Sequence, residues 1–210
     1  MGCLHSKPNS AKEKYIMPSN GSRRPANDAT DESDISNLAK GHINAVGISY
    51  RQAFSLKQSW KGIKRRMEDT GIEMFVRLFK TSPPLQAMFQ SFKDIKSDDE
   101  LRGNEALENH ATLVMNTLDD AITHIDNYDY VKELLSKTGV SHTKFDHFKP
   151  DYFLAIKEPF LEAVRVTLGD RYTDNMQNIY TIAITFILQT LKEGMEEALN
   201  DLGPGAAKNV

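Results

Sequence analysis

The sequence is poor in cysteine and in long hydrophobic runs. Its 210 residues contain one cysteine, so an internal disulfide is excluded, and this fits a reducing compartment. The most apolar stretch, residues 180–191, is interrupted by the polar residues Thr181, Thr185 and Gln189. A membrane-spanning helix needs roughly 20 consecutive apolar residues. The sequence therefore predicts no transmembrane helix.

The sequence also has no excess of basic residues over acidic ones. The formal net charge is -3 and the pI is about 6.1, which gives no electrostatic footprint for binding nucleic acid. No Asp-x-Asp-x-Asp-Gly loop with a closing glutamate is found, so a calcium sensor of that type is excluded. The 40% of hydrophobic and 26% of charged residues are ordinary for a globular protein with one core.

Composition divides the chain into three parts. Residues 1–48 are rich in Ser, Asn, Asp, Lys and Gly and have too few large apolar groups to offset the entropy of ordering, so we predict a disordered tail. Residues 49–200 form the predicted folded domain. Residues 201–210, with Gly203-Pro204-Gly205, form a second, short tail.

The folded part shows helical periodicity throughout. Leu107, His110, Ala111, Val114 and Leu118 recur at steps of three and four residues, which places them on one helical face. Two later segments repeat this spacing, and no alternation typical of strands competes with it. The sequence thus predicts an all-α fold of six to eight helices.

Several residues predict where helices begin and end. Pro83-Pro84 should halt a helix near Lys80, and Gly139 should interrupt another helix. Asp174 and Gln177 suggest a capping box at the start of the last helix.

Two histidines are the candidates for chemistry, His110 and His142. His110 lies on the apolar face described above, where an imidazole without a partner costs about 1–3 kcal/mol. Two interpretations remain open on periodicity alone. His110 is either a core histidine satisfied by a backbone carbonyl or a ligand of a metal or haem, and His142 is no more specific by itself.

A set of motifs resembles the globin family. The segments Phe75–Lys80 and Phe89–Lys93, with Pro83 between them, are similar to the second globin helix, its proline corner and the phenylalanine that packs on haem. His110 follows Phe89 by 21 residues, and His142 follows His110 by 32, a spacing similar to that of neuroglobin and cytoglobin. Trp60 matches the tryptophan of the first helix. The resemblance covers about residues 49–200.

The resemblance implies a globin fold around a haem pocket, with haem b (iron protoporphyrin IX) as the cofactor. It assigns His142 as the proximal iron ligand and His110 as the distal one. Ser141 could hydrogen-bond the His142 ring, and Gly71 with Ala111 match the small pair at a close helix crossing. The remaining residues expected to pack against haem are Phe75, Phe89, Val114, Phe148 and Phe153.

The sequence departs from the family at the edge of the pocket. The positions that help to bind the haem propionates in myoglobin are Ser91 and Asp146 here, and an aspartate would repel a propionate. We therefore expect Lys93, Lys144 or His147 to take that role. Leu113 stands where neuroglobin often has a basic residue, and Thr138 replaces a common leucine. His5 falls in the tail, and His42, His124 and His147 are more typical of surface or tail residues than of ligands.

The N-terminus carries a lipidation signal. Met1-Gly2-Cys3-Leu4-His5-Ser6 fits the pattern for myristoylation at Gly2, and the adjacent Cys3 offers a palmitoylation site. Two acyl chains, or one chain with nearby basic residues, give a stable anchor. We expect attachment to the cytoplasmic face of the plasma membrane. Such an extension resembles that of globin X, a membrane-attached animal globin.

Three functions are compatible with these residues. The first is a membrane-tethered globin, six-coordinate at rest, that binds oxygen, nitric oxide or carbon monoxide and has a redox, sensing or lipid-protecting role. The second is a haem enzyme, such as a nitrite reductase or nitric oxide dioxygenase, which would need a separate reductase because the sequence has no flavin or nicotinamide domain. The third is an oxygen store or carrier, a role to which membrane anchoring adds little.

Overall fold

The computed structural model describes residues 43–201, and these residues form eight α-helices and three short 3-10 helices. The all-α architecture of six to eight helices is therefore confirmed. The α-helices are α1 (Tyr50–Lys64), α2 (Met67–Thr81), α3 (Pro83–Gln86), α4 (Asp98–Arg102), α5 (Glu105–Thr123), α6 (Tyr128–Ser141), α7 (Lys157–Leu168) and α8 (Asp174–Asp201). The 3-10 helices are His142–Lys144, Pro150–Ile156 and Gly169–Arg171.

Polar side chains fix the starts of the long helices. Ser49 and Gln52 form a reciprocal capping box at the start of α1. The Asn104 side chain accepts a hydrogen bond from the Leu107 amide at α5, and Asn127 does the same for the Tyr130 amide at α6. These caps satisfy amides that have no partner within their own helix.

The predicted helix boundaries are partly right. Helix α2 ends at Thr81, just before Pro83, as expected. Two expectations are wrong. Gly139 does not interrupt a helix but lies inside α6, and α8 is capped by Thr173, whose hydroxyl accepts from the Met176 amide. Gly139 allows a close contact between two helices and does not end one.

The residues directly before α1 are ordered, although we predicted that the disordered tail extends to residue 48. Ile43 pairs with Ser49 in an isolated bridge, and Asn44 Oδ1 accepts from the amides of Val46 and Ile48. Gly47 has φ +94°, a conformation that favours glycine. Burial of Val46 and Ile48 in the core offsets the entropy of ordering this turn.

Helices α2 and α5 cross closely at Gly71, and α5 is the helix that carries His110. A Cβ on Gly71 would lie 3.3 Å from the Ala111 Cβ and 2.7 Å from Met115 Cγ. The predicted small pair thus allows the close crossing. On the other side of the core, Trp60 is fully buried and its Nε1 donates to Asp119 Oδ1 at 2.9 Å.

Between residues 43 and 201, no helix combines the length and the hydropathy needed to cross a bilayer. The lipidation sites predicted at Gly2 and Cys3 lie outside the described residues, as does the tail after residue 201.

Candidate functional site

A cavity of about 760 Å³ lies between α2, α5, α6 and α8. Its size falls in the range of roughly 300–1,000 Å³ that is typical of cofactor sites. Its walls are mainly apolar, and two imidazoles, those of His110 and His142, are part of them. The five apolar residues that we expected to pack against a cofactor all line it: Phe75, Phe89, Val114, Phe148 and Phe153.

His110 lies in α5, where two aromatic rings pack against its imidazole. Its ring centroid is 5.0 Å from that of Phe75 and 4.9 Å from that of Phe89, both in edge-on geometry. No residue between 43 and 201 accepts or donates a hydrogen bond to its ring. Burial, assisted by the nearby His142, lowers the pKa of His110 to about 4. The ring is therefore neutral near pH 7, and its nitrogen lone pair has no partner among residues 43–201.

His142 follows the end of α6 and is oriented by the backbone. Its Nδ1 lies 2.8 Å from the carbonyl oxygen of Thr138. Because a carbonyl can only accept, Nδ1 carries the proton and the lone pair is on Nε2. The rings of Phe148 and Phe153 pack on the imidazole, with centroids at 5.2 Å and 4.8 Å. Burial also lowers the pKa of His142, so a neutral ring with one free nitrogen enters the cavity.

Ser141 has a smaller part in this arrangement than the sequence suggests. Its Oγ donates to the Thr138 carbonyl at 2.7 Å and lies 3.4 Å from His142 Nδ1. The shorter of the two contacts to Nδ1 is that from the Thr138 carbonyl. A backbone carbonyl has no signature in the residue pattern, which is why sequence reasoning did not find it.

Helix α6 is pressed against α8 at two glycines. A Cβ on Gly139 would overlap the Leu191 carbonyl oxygen and lie 3.1 Å from the Met195 amide nitrogen. A Cβ on Gly194 would lie 2.6 Å from the Cα and the carbonyl oxygen of Ser136. Real Cβ atoms essentially never approach other atoms this closely. The two glycines thus set the distance between α6 and α8, and with it the position of His142, three residues after Gly139.

The rim of the cavity is charged. Lys144, Asp146 and His147 line it, whereas Lys93 does not. His147 has φ +67°, in the left-handed region that non-glycine residues seldom occupy. Two of the three residues that we expected to attract acidic groups are thus at this edge, beside the aspartate that opposes them.

The cavity also includes apolar residues that the sequence did not single out as site residues. Helix α8 contributes four of them, namely Ile184, Ile187, Leu188 and Leu191. The helical periodicity of that segment was visible in the sequence. It could not indicate which part of the helix faces a cavity and which part faces core.

The donors in the cavity suit haem better than a bare metal ion. Among residues 43–201, no three His, Cys, Asp or Glu side chains come together as a metal site. A flat, mostly apolar cofactor needs instead an apolar slot and one or two neutral imidazoles for its iron. The aromatic walls, His110 and the Nε2 of His142 meet these requirements.

Comparisons with known proteins agree with this geometry. A family model described as Globin matches residues 72–191. Cytoglobin-1 of Oryzias latipes is 28% identical over 156 residues, which cover 74% of this chain and 86% of that protein. Neuroglobin of Chaenocephalus aceratus is 25% identical over 156 residues, covering 72% and 98%.

A solved structure is also similar. It is described as a hexacoordinated heme protein from an anhydrobiotic tardigrade, with a TM-score of 0.68 and 32% sequence identity. The match covers 75% of this chain and 98% of that one.

Proposed function

The chain belongs to the globin family and binds small gaseous ligands at haem, and we propose that it does so tethered to a membrane, with both His110 and His142 on the iron at rest. Haem supplies an iron that binds gases and changes between the ferrous and ferric states. The residues proposed to hold it are His142 on one face, His110 on the other, and the aromatic residues of the cavity wall.

The two imidazoles differ in what they offer the iron. The His142 ring has its tautomer set by the Thr138 carbonyl, which leaves Nε2 available and makes it a stronger ligand. For His110, the observation that carries the six-coordinate proposal is the absence of any hydrogen-bond partner among the described residues. Because His110 lines the cavity, a ring nitrogen that pairs with no described residue is free to bind an iron held there. The similar tardigrade protein, described as hexacoordinated, supports the same proposal.

The proposed tether is the acylated N-terminus. Gly2 is the acceptor for myristate, and Cys3, the single cysteine of the chain, is the acceptor for palmitate. One myristoyl chain binds a bilayer only reversibly, so the second acyl chain or the neighbouring basic residues would be needed for a stable anchor. We therefore propose that the protein lies on the cytoplasmic face of the plasma membrane.

A six-coordinate globin at a membrane suits redox chemistry more than oxygen storage. When both imidazoles hold the iron, an outside ligand competes with His110, which lowers its apparent affinity. We propose a role in redox sensing, electron transfer or protection of membrane lipid, with a cellular reductase as the electron source.

An optical spectrum of the reduced, ligand-free protein tests the coordination. Two axial histidines predict sharp, split visible bands. The variant His110→Leu is the matched control and should show one broad band. A broad band in the wild type would contradict six-coordination and leave a five-coordinate globin.

Cell fractionation tests the tether. Gly2→Ala removes the acceptor amine for myristate and should move the protein from the membrane to the soluble fraction. Cys3→Ser should give an intermediate distribution, because one acyl chain anchors weakly. Full membrane retention of Gly2→Ala would place the anchor elsewhere.

A further inference from the structure

The outer side of helix α1 carries two exposed aromatic rings and two cations on one face. Tyr50 and Phe54 are 62% and 56% exposed, and Lys61 and Arg65 are exposed as well. These four residues follow one another at steps of 4, 7 and 4 residues. With 3.6 residues per turn, this spacing places them within about 60° of one another. We call these residues the α1 outer face.

Acidic residues are scarce around this face. Helix α1 contains no Asp or Glu between Tyr50 and Lys64. Two carboxylates pair with lysines of α1: Asp126 with Lys57 at 2.6 Å and Asp119 with Lys64 at 2.8 Å.

The cations of the α1 outer face do not share these partners. Lys61 and Arg65 form no ion pair with any residue from 43 to 201. A further cation packs against the same helix, because Arg171 Nη1 is 3.2 Å from the position that a Cβ on Gly62 would occupy. The face is therefore positive, and its charge is not neutralised from within the described residues.

Exposed aromatic rings next to cations match the chemistry of an anionic lipid surface. Aromatic side chains settle at the boundary between headgroups and acyl chains, and each Lys or Arg adds attraction to anionic headgroups. The position of this face in the chain also favours a membrane. The predicted acylation sites lie in the 42 residues before Ile43, and Tyr50 follows Ile43 by only seven residues. We propose that the α1 outer face docks on an anionic membrane and fixes how the domain lies on it. The proposal deepens the proposed tethering and rests on it for access to a membrane.

Vesicle binding of a full-length, haem-loaded Gly2→Ala, Cys3→Ser protein tests this docking without acyl chains. The probes are vesicles of phosphatidylcholine alone and of equal parts phosphatidylcholine and phosphatidylserine. Sedimentation with the vesicles, read by haem absorbance, gives the partition coefficient. We expect binding to the anionic vesicles only.

Paired variants distinguish an effect of the α1 outer face from an effect of the protein's net charge. Lys61→Gln with Arg65→Gln should lower the partition coefficient about 30-fold, because each cation near an anionic surface contributes about 1 kcal/mol to binding. The control Lys96→Gln with Lys137→Gln removes the same charge elsewhere and should change it only slightly. Phe54→Ser should lower binding about tenfold, whereas Leu113→Ser, which removes another exposed apolar side chain, should not.

Two results would overturn the proposal. Equal losses in the two charge pairs would mean that net charge alone attracts the protein. If the α1 variants bound vesicles as strongly as the protein without these substitutions, lipid binding would belong to the tail. The α1 outer face would then be a surface for a protein partner. Release of Gly2→Ala from cell membranes bears on the acyl tether alone, so failure of the tether and failure of the docking are distinguishable.

Discussion

The two sides of the cavity hold their histidines in different ways. On the proximal side, a backbone carbonyl orients His142, and the helix that carries it is locked to α8 by Gly139 and Gly194. On the distal side, the rings of Phe75 and Phe89 pack against His110, which has no hydrogen-bond partner among the described residues. If both imidazoles bind the iron as proposed, this difference predicts that His142 stays bound and that His110 can leave.

The strongest test of this asymmetry compares removal of each imidazole. His142→Ala deletes the oriented ligand, so we expect most of the haem to be lost while His110→Ala retains it. The measurement is the ratio of Soret to protein absorbance after gel filtration. Equal haem content in the two variants would show that the sides are assigned wrongly or are equivalent.

Adding a single Cβ atom at Gly139 should disrupt the close contact between α6 and α8. Gly139→Ala places a Cβ against the Leu191 carbonyl, and because backbone cannot move aside as a side chain can, we expect a loss of about 3 kcal/mol. This corresponds to a fall in Tm of roughly 6–12 °C.

A matched glycine gives the control for this substitution. The nearest atom to a Cβ on Gly103 is the Asp99 carbonyl oxygen at 3.7 Å, an ordinary contact, so Gly103→Ala should change stability by no more than about 0.5 kcal/mol. Thermal unfolding of both holoproteins measures the difference. A Gly139→Ala variant as stable as Gly103→Ala would mean that α6 and α8 can separate without cost.

The distal side is expected to control access without controlling stability. In His110→Leu, carbon monoxide no longer competes with an imidazole, so its association should become proportional to concentration and about tenfold or more faster at high concentration. Stopped-flow mixing with the reduced protein measures this. A wild-type rate that is already proportional to concentration, with no limiting value, would contradict a distal ligand.

The smallest effect is expected at Ser141. Because the Thr138 carbonyl is closer to His142 Nδ1 than Ser141 Oγ is, Ser141→Ala should leave the tautomer unchanged. We expect the reduced spectrum to stay the same and the rate of haem loss to change by no more than about twofold, equivalent to roughly 0.4 kcal/mol. A shift in the visible bands would show that the hydroxyl, and not the carbonyl, orients the ring.

Much of this molecule could be predicted because its signals are local. A helix records its buried face every three or four residues, so the periodicity around Leu107 and Val114 predicted α5 and placed His110 on its apolar side. The proline pair likewise predicted the end of α2. The tail was harder to delimit, because order at Val46 and Ile48 depends on a core contributed by distant helices.

The all-α class and the positions of His110 and His142 follow from the order of the side chains, and the resemblance to globins added the aromatic residues of the cavity wall. That Gly139 makes a helix contact and does not break a helix depends on packing, because its partners, Leu191 and Met195, lie more than 50 residues away. Packing also brings the Thr138 carbonyl to the His142 ring and so orients it. Every residue carries that group, so no residue type reveals where it will be used.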